Sequence, residues 1–87
     1  MVMPEISRFL GIIITMNFSE HNPPHFHVRY NEYEAAIRID NLGILIGDLP
    51  PKIFGLVAEW AKMHQTELKE CWNKSREGEI IKIKPLD

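Results

Sequence analysis

Apolar and β-branched residues fill positions 6–18 almost without a break, which predicts a central strand covered on much of both faces. Gly11 interrupts this run and is expected to mark a bulge in the strand. The segment 19–24 follows with turn-forming residues and ends in Pro23-Pro24, two residues without a backbone donor. Regular strand pairing therefore has to stop here, and we expect a stiff loop.

Apolar and polar residues then alternate through 25–30 and again through 35–40, which is the pattern of two half-buried strands. The two segments predict a hairpin that turns around positions 31–32. Pairing Phe26 with Ile37 keeps apolar residues together, whereas a slip by one residue would put charged side chains into the core. The other pairs expected in this register are Val28 with Ala35, Arg29 with Glu34, and His25 with Arg38.

The rest of the chain predicts a short strand, one long helix and a last strand. Residues 42–49 are mostly apolar and are interrupted by glycines, which suits a brief strand. Pro51 fits a first helical turn and Gly78 fits a helix end, so we expect one amphipathic helix over 51–77. Isoleucines alternate with lysines in 80–84, which predicts the final strand.

The predicted fold class is α+β: an antiparallel sheet of about four to five short strands with one long amphipathic helix packed on one face. A chain of 87 residues is long enough for one hydrophobic core. We therefore expect a single domain over 1–87, with Met1 and Val2 as an extension. A hydrophobic fraction of 45% and a charged fraction of 25% indicate a folded globular protein and argue against disorder.

Charge and cysteine content narrow the function classes. A formal net charge of −2 and a pI near 6.1 argue against a general nucleic-acid binder, which would need clustered cations. Cys71 is the single cysteine and has no partner for an internal disulfide. The first residues lack a signal-peptide pattern and the longest apolar stretch is too short for a bilayer, so we expect a cytoplasmic protein without a membrane segment.

A cluster of histidines is the most unusual feature of the sequence. His25 and His27 lie two residues apart on a predicted strand, so both project from the same face and their imidazoles can reach one metal ion. His21, or Glu20 beside it, would supply a third ligand from the edge of the loop. One hypothesis is therefore a metal site formed by His21, His25 and His27, with a divalent transition metal as the candidate cofactor.

Two other functions suit the same residues, and whether the protein is an enzyme stays open. One is a small metal-independent ribonuclease, whose catalytic residues would be His25, His27, Arg29 and Arg38. These side chains would act as acid and base and would hold the phosphate group. Alternatively, the histidines brace the proline-rich loop by donating to backbone carbonyls that the prolines leave without partners. All of these hypotheses place the functional surface on the polar face of the hairpin.

The helix carries two tryptophans, Trp60 and Trp72, within its apolar stripe. Tryptophans at such positions are core residues or anchors of an interface. A protein with a small core and a long amphipathic helix is expected to cover leftover apolar surface with a partner. Trp60 and Trp72 are therefore the candidate partner-binding residues.

Several segments resemble the domain of unknown function 4160 family of small bacterial proteins. The run Glu-His-Asn-Pro-Pro-His-Phe-His at 20–27 is the most specific of them. The other matching stretches are 3–12, Tyr30, Leu49-Pro50, Leu56-Val57 with Glu59-Trp60, Glu67-Leu68 with Trp72, and 83–86. The resemblance thus extends over nearly the whole chain from Met3.

This resemblance implies a small prokaryotic protein that is often encoded beside a small protein of the domain of unknown function 2442 family. Such a two-gene arrangement is similar to toxin–antitoxin modules. We therefore expect a component of a toxin–antitoxin-like complex that acts through protein–protein binding, with RNA as a further candidate ligand. Its expected functional surface is the polar face of the hairpin around His25, His27, Arg29 and Arg38. The expected assembly is a homo-oligomer or a heteromer with the neighbouring protein.

Overall fold

In the residues that the computed structural model describes, 4–18 and 20–86, five strands form one antiparallel sheet in chain order. The strands are β1 (Glu5–Phe9), β2 (Ile12–Thr15), β3 (His25–Tyr30), β4 (Tyr33–Arg38) and β5 (Ile44–Gly47). Two helices follow, α1 (Pro51–Met63) and α2 (Gln65–Arg76). The α+β class is confirmed, while the expected extension at Met1 and Val2 lies outside the described residues.

The predicted strand over 6–18 is two strands joined by a tight turn. Leu10 and Gly11 have φ angles of 51° and 79°, the positive values that a type I′ hairpin turn requires at both central residues. Phe9 pairs with Ile12 across this turn. The prediction of one strand with a bulge at Gly11 was wrong because apolar residues fill both arms of the hairpin. A leucine with positive φ gives no turn signal in the sequence.

The hairpin of β3 and β4 has the predicted register. Phe26 pairs with Ile37 and His25 with Arg38, and the turn begins at Asn31, whose φ is 53°. The pairs Val28 with Ala35 and Arg29 with Glu34 are also present. Strict alternation was sufficient to fix this register because one face of the two strands is buried.

The core lies between the sheet and α1, where Trp60 is fully buried. Its indole ring packs on Phe9 and Phe26 at centroid distances of 5.6 and 5.9 Å. The Trp60 Nε1 donates a hydrogen bond to the Lys84 carbonyl oxygen at 2.9 Å. Trp72 on α2 is also buried, at 4% exposure. Both tryptophans are therefore core residues of the described chain, and their role in partner binding stays a prediction.

The single helix predicted for 51–77 is two helices that meet at His64. The φ angle of His64 is −121°, outside the helical range. Leu68 and Cys71 of α2 are buried, as Val57 of α1 is, so the apolar spacing continues across the break. Spacing alone therefore could not reveal where one helix ends and the next begins.

The segment 80–84 forms no strand, which corrects the predicted final strand. The Ile83 N–H donates to the Ile6 carbonyl oxygen at 2.7 Å, and Ile83 itself is buried. This single bond does not extend into a ladder, because the register of β1 shifts between Glu5 and Ser7. The C-terminal segment nevertheless lies against the edge of β1.

The opposite edge of the sheet has no such cover among the described residues, where β5 pairs only with β4. Its residues Ile44, Leu45 and Ile46 are 42%, 42% and 72% exposed. The sheet therefore has one covered edge and one exposed apolar edge.

No helix in the described part of the chain has the length and apolar character needed to cross a membrane.

A substitution at Gly47, the last residue of β5, tests how closely β4 and β5 are packed. Gly47 has a φ of 81°, and a Cβ there would overlap the backbone oxygen of Glu34. Gly78 has a φ of 85° but no atom within 4 Å of the Cβ position, so it is a matched control. We expect Gly78→Ala to lower the free energy of unfolding by about 1 to 2 kcal/mol, the cost of a left-handed alanine.

Gly47→Ala should cost more, about 3 kcal/mol, because the strand must also move away from β4. Urea unfolding of both variants measures the difference. Equal losses in the two variants would contradict the close approach of β5 to Glu34.

Candidate functional site

Three potential metal ligands meet where the loop after β2 passes the start of β3. His25 and His27 are the first and third residues of β3, so they project toward the same side of the strand. The loop brings Glu20 to both of them. One ligand atom from each of these residues lies within 4.8 Å of the others. We call Glu20, His25 and His27 the Glu-His-His cluster.

The Glu20 carboxylate uses one oxygen for each imidazole. Its Oε1 lies 2.6 Å from His27 Nε2, and its Oε2 lies 3.2 Å from His25 Nε2. The side-chain amide of Asn17 also donates to Oε1 at 2.7 Å. These contacts fix the carboxylate between the two rings.

The tautomer of His25 follows from its second ring nitrogen. Nδ1 lies 2.7 Å from the Pro23 carbonyl oxygen, which can only accept, so Nδ1 carries the proton. On a neutral ring, Nε2 then has a lone pair and no hydrogen. That lone pair faces a carboxylate oxygen at 3.2 Å. Two acceptors in this position need a cation between them, either a second proton on the imidazole or a metal ion.

The charge on Glu20 is stabilised by its neighbours. Burial alone would raise the pKa of this carboxyl group, but the hydrogen bonds from His27 and Asn17 and the charges of His27 and His25 together outweigh burial, and the pKa is lowered. The side chains of Glu20, His25 and His27 are 22%, 10% and 24% exposed. The ring of His25 packs on Trp72 at a centroid distance of 5.3 Å. The cluster is therefore largely covered but can be reached from solvent.

The cluster lies beside a cleft of about 670 Å³ on the sheet, and His27 is part of the cleft wall. Ala36 on β4 is the register neighbour of His27, and Ile46 on β5 is the register neighbour of Ala36. Both of these apolar residues line the cleft. The other charged residues of its lining form two ion pairs, Arg8 with Glu5 at 2.7 Å and Arg29 with Glu34 at 3.4 Å.

Comparison with known proteins identifies the family of this chain. The family model described as "Domain of unknown function (DUF4160)" matches residues 11–73. The chain belongs to the DUF4160 family. This result confirms the resemblance seen in the sequence, and the matched range contains the whole Glu-His-His cluster. No match was found among curated proteins or among solved structures.

In this DUF4160 protein, the sequence-predicted ligands His25 and His27 are brought together, while His21 is exposed and is not part of the cluster. Glu20, the alternative ligand at the edge of the loop, occupies the third position. The two residues are adjacent in a loop without regular structure. Sequence alone therefore could not decide which of them faces β3.

Arg29 and Arg38, the residues of this DUF4160 protein that were predicted to hold phosphate, both have carboxylate partners. Arg38 makes two hydrogen bonds to Asp40, at 2.9 and 2.7 Å. Arg29 pairs with Glu34 through side chains that are 62% and 71% exposed. Sequence reasoning missed Asn17 as a support of the cluster, because a single asparagine carries no pattern. The contact of His25 with the Pro23 carbonyl oxygen is of the kind that the bracing hypothesis describes.

Proposed function

We propose that the protein binds a divalent transition metal ion through Glu20, His25 and His27. The observation that carries this proposal is the position of His25, whose Nδ1 lies 2.7 Å from the Pro23 carbonyl oxygen and whose Nε2 lies 3.2 Å from a Glu20 carboxylate oxygen. With Nδ1 protonated, a metal ion between Nε2 and the carboxylate would make one coordination bond to each. His27 lies on the other oxygen of the same carboxylate and adds the third ligand.

The distances suit this role after small side-chain rotations. Two ligand atoms on one tetrahedral zinc ion lie about 3.4 Å apart, since each is about 2.1 Å from the metal. In the cluster, the contacts of Glu20 with His25 and His27 are 3.2 and 2.6 Å. Two imidazoles and one carboxylate are a common ligand set for zinc and for other first-row divalent metals.

The groups behind the ligands also favour a metal site. A metal-bound imidazole usually donates its other N–H to a carbonyl or carboxylate, and His25 donates Nδ1–H to Pro23. Asn17 orients the carboxylate of Glu20 in the same way. A histidine binds a metal ion through an unprotonated ring nitrogen, so metal binding is expected to weaken at low pH.

The alternative functions account for fewer of these contacts. A bracing role explains the bond from His25 to Pro23, but it gives no reason for His27 and Glu20 to meet at the same point. A ribonuclease needs cations that are free to hold phosphate. Arg29 and Arg38 instead pair with carboxylates, so the ribonuclease proposal has less support.

A second proposal, complex formation with a small partner protein, is favoured by the exposed apolar edge at β5. Exposed apolar edge strands are uncommon in soluble proteins because they attract other strands. Ile44, Leu45 and Ile46 occupy such an edge. The partner that the family resemblance implies is a protein of the domain of unknown function 2442 family, and a second copy of this chain is the alternative occupant.

The metal proposal predicts one site per chain in protein prepared without a histidine tag. Calorimetric titration with Zn²⁺ should give one equivalent bound. Glu20→Gln, His25→Ala and His27→Ala should each weaken binding by about 100-fold or more, because two protein ligands rarely form a tight site. His21→Ala is the matched control and should leave the affinity unchanged.

An unchanged affinity in His25→Ala or His27→Ala would rule out this ligand set. A loss of binding in His21→Ala together with an unchanged affinity in Glu20→Gln would place His21 in the site instead of Glu20.

The partner proposal predicts that a charge on β5 blocks assembly. Leu45→Lys should reduce co-purification of a co-expressed partner from the 2442 family, because a lysine on an edge strand opposes strand addition. Met63→Lys changes an equally apolar, 66% exposed residue on α1 and serves as the control. If both variants retain the partner to the same degree, β5 is not the contact surface.

A further inference from the structure

We propose that the cleft beside the Glu-His-His cluster binds a small monocarboxylate whose head group coordinates the metal ion and whose apolar body lies across Ala36 and Ile46. This inference rests on the proposed function, since the metal ion supplies the anchoring charge. It adds the chemical class of the ligand that the site takes. Three features support it: the open coordination position of the bound metal ion, the register of the sheet and the charge balance of the cleft.

The first argument is that three protein ligands leave the metal coordination incomplete. A zinc ion with three protein ligands keeps a fourth position for water or an external ligand, and six-coordinate metals keep more. The side chains of Glu20 and His27 are 22% and 24% exposed, so an external group can reach the ion. Because His27 also lines the cleft, a ligand bound to the ion continues into it.

The second argument is the apolar path that leads away from His27. Ala36 and Ile46 follow His27 in register on β4 and β5, so the path crosses two strand spacings, about 10 Å in all. Ala36, in the middle of the path, lines the cleft with a methyl group and is 4% exposed. Ile46 at the far end is 72% exposed and has apolar surface to bury against a ligand. The path matches the length of a medium-chain fatty acid.

The third argument is the charge of the site, which selects the class of anion. The two ion pairs of the cleft, Arg8 with Glu5 and Arg29 with Glu34, contribute no net charge. A divalent ion bound to one carboxylate and two neutral imidazoles has one net positive charge. A monocarboxylate neutralises it, whereas a dianion would leave one negative charge that the paired side chains of the cleft do not balance. Among the described residues, the arginines of the cleft are paired, so a phosphate finds little cationic support there.

The experiment uses Co²⁺-loaded protein, whose visible absorption reports changes in the ligands of the metal. Cobalt binding is measured first, in the wild-type protein and in Glu20→Gln. Octanoate, acetate and octanol are then titrated separately into the loaded protein. We expect octanoate and acetate to change the cobalt spectrum and octanol to leave it unchanged. Octanoate should bind about tenfold more tightly than acetate, because several methylene groups leave water.

Two variants of β5 separate the cleft from the metal. Ile46→Ser removes the apolar end of the path and should weaken octanoate binding by about threefold or more, with cobalt and acetate binding unchanged. Leu45→Ser is the matched control, since Leu45 is an exposed residue of the same strand that does not line the cleft. It should leave all three affinities as they are in the wild-type protein.

The possible failures are distinguishable. Cobalt binding through the cluster supports the metal proposal by itself. The inference about the cleft is then overturned if octanoate binds no more tightly than acetate, or if it binds Ile46→Ser as tightly as it binds the wild-type protein. Octanol binding as tightly as octanoate would also overturn it, because the metal would then play no part. Absence of cobalt binding, or full binding by Glu20→Gln, would refute both proposals.

Discussion

The hydrogen bond from His25 Nδ1 to the Pro23 carbonyl oxygen sets the chemistry of the site. It places a proton on one nitrogen of the imidazole and turns the other nitrogen toward Glu20. The two consecutive prolines cannot donate backbone hydrogen bonds; the Pro24 carbonyl accepts from the Ile39 N–H, and the Pro23 carbonyl accepts from the His25 ring. A loop with ordinary backbone pairing would not present that oxygen to the ring.

The sheet separates the core from the site. Alternation along β3 directs Phe26 to the core, where it meets Trp60, and directs His27 to the cleft. Trp72 joins the two sides at the end of the sheet, because it belongs to the apolar stripe of α2 and also packs on His25. The stability of the fold and the position of the histidine ring therefore depend on some of the same contacts.

The sequence was most informative in β3 and β4, where apolar and polar residues alternate and one face of the strands is buried. The register of β3 and β4 and the shared side of His25 and His27 followed from alternation alone, as strand geometry requires. The break at His64 was not visible, because buried residues continue at helical spacing on both sides of it. The turn at Leu10 and Gly11 was hidden within an apolar run.

The third position of the site could be narrowed to two residues from the sequence but not assigned. Glu20 and His21 are adjacent, and both residue types bind metals. Which one faces β3 depends on the path of the loop, and side-chain partners such as Asn17 help to fix that path. Local patterns do not encode such contacts between segments.

X-ray absorption at the zinc edge of the Zn²⁺-loaded protein tests the central claim most directly, because it identifies the atoms bound to the metal. We predict a first shell of nitrogen and oxygen atoms at about 2.0 to 2.1 Å with the outer-shell scattering of two imidazoles. Cys71 is buried away from the cluster in the core, so no sulfur is expected at about 2.3 Å. A sulfur shell, or a spectrum without imidazole scattering, would contradict the Glu20, His25 and His27 site.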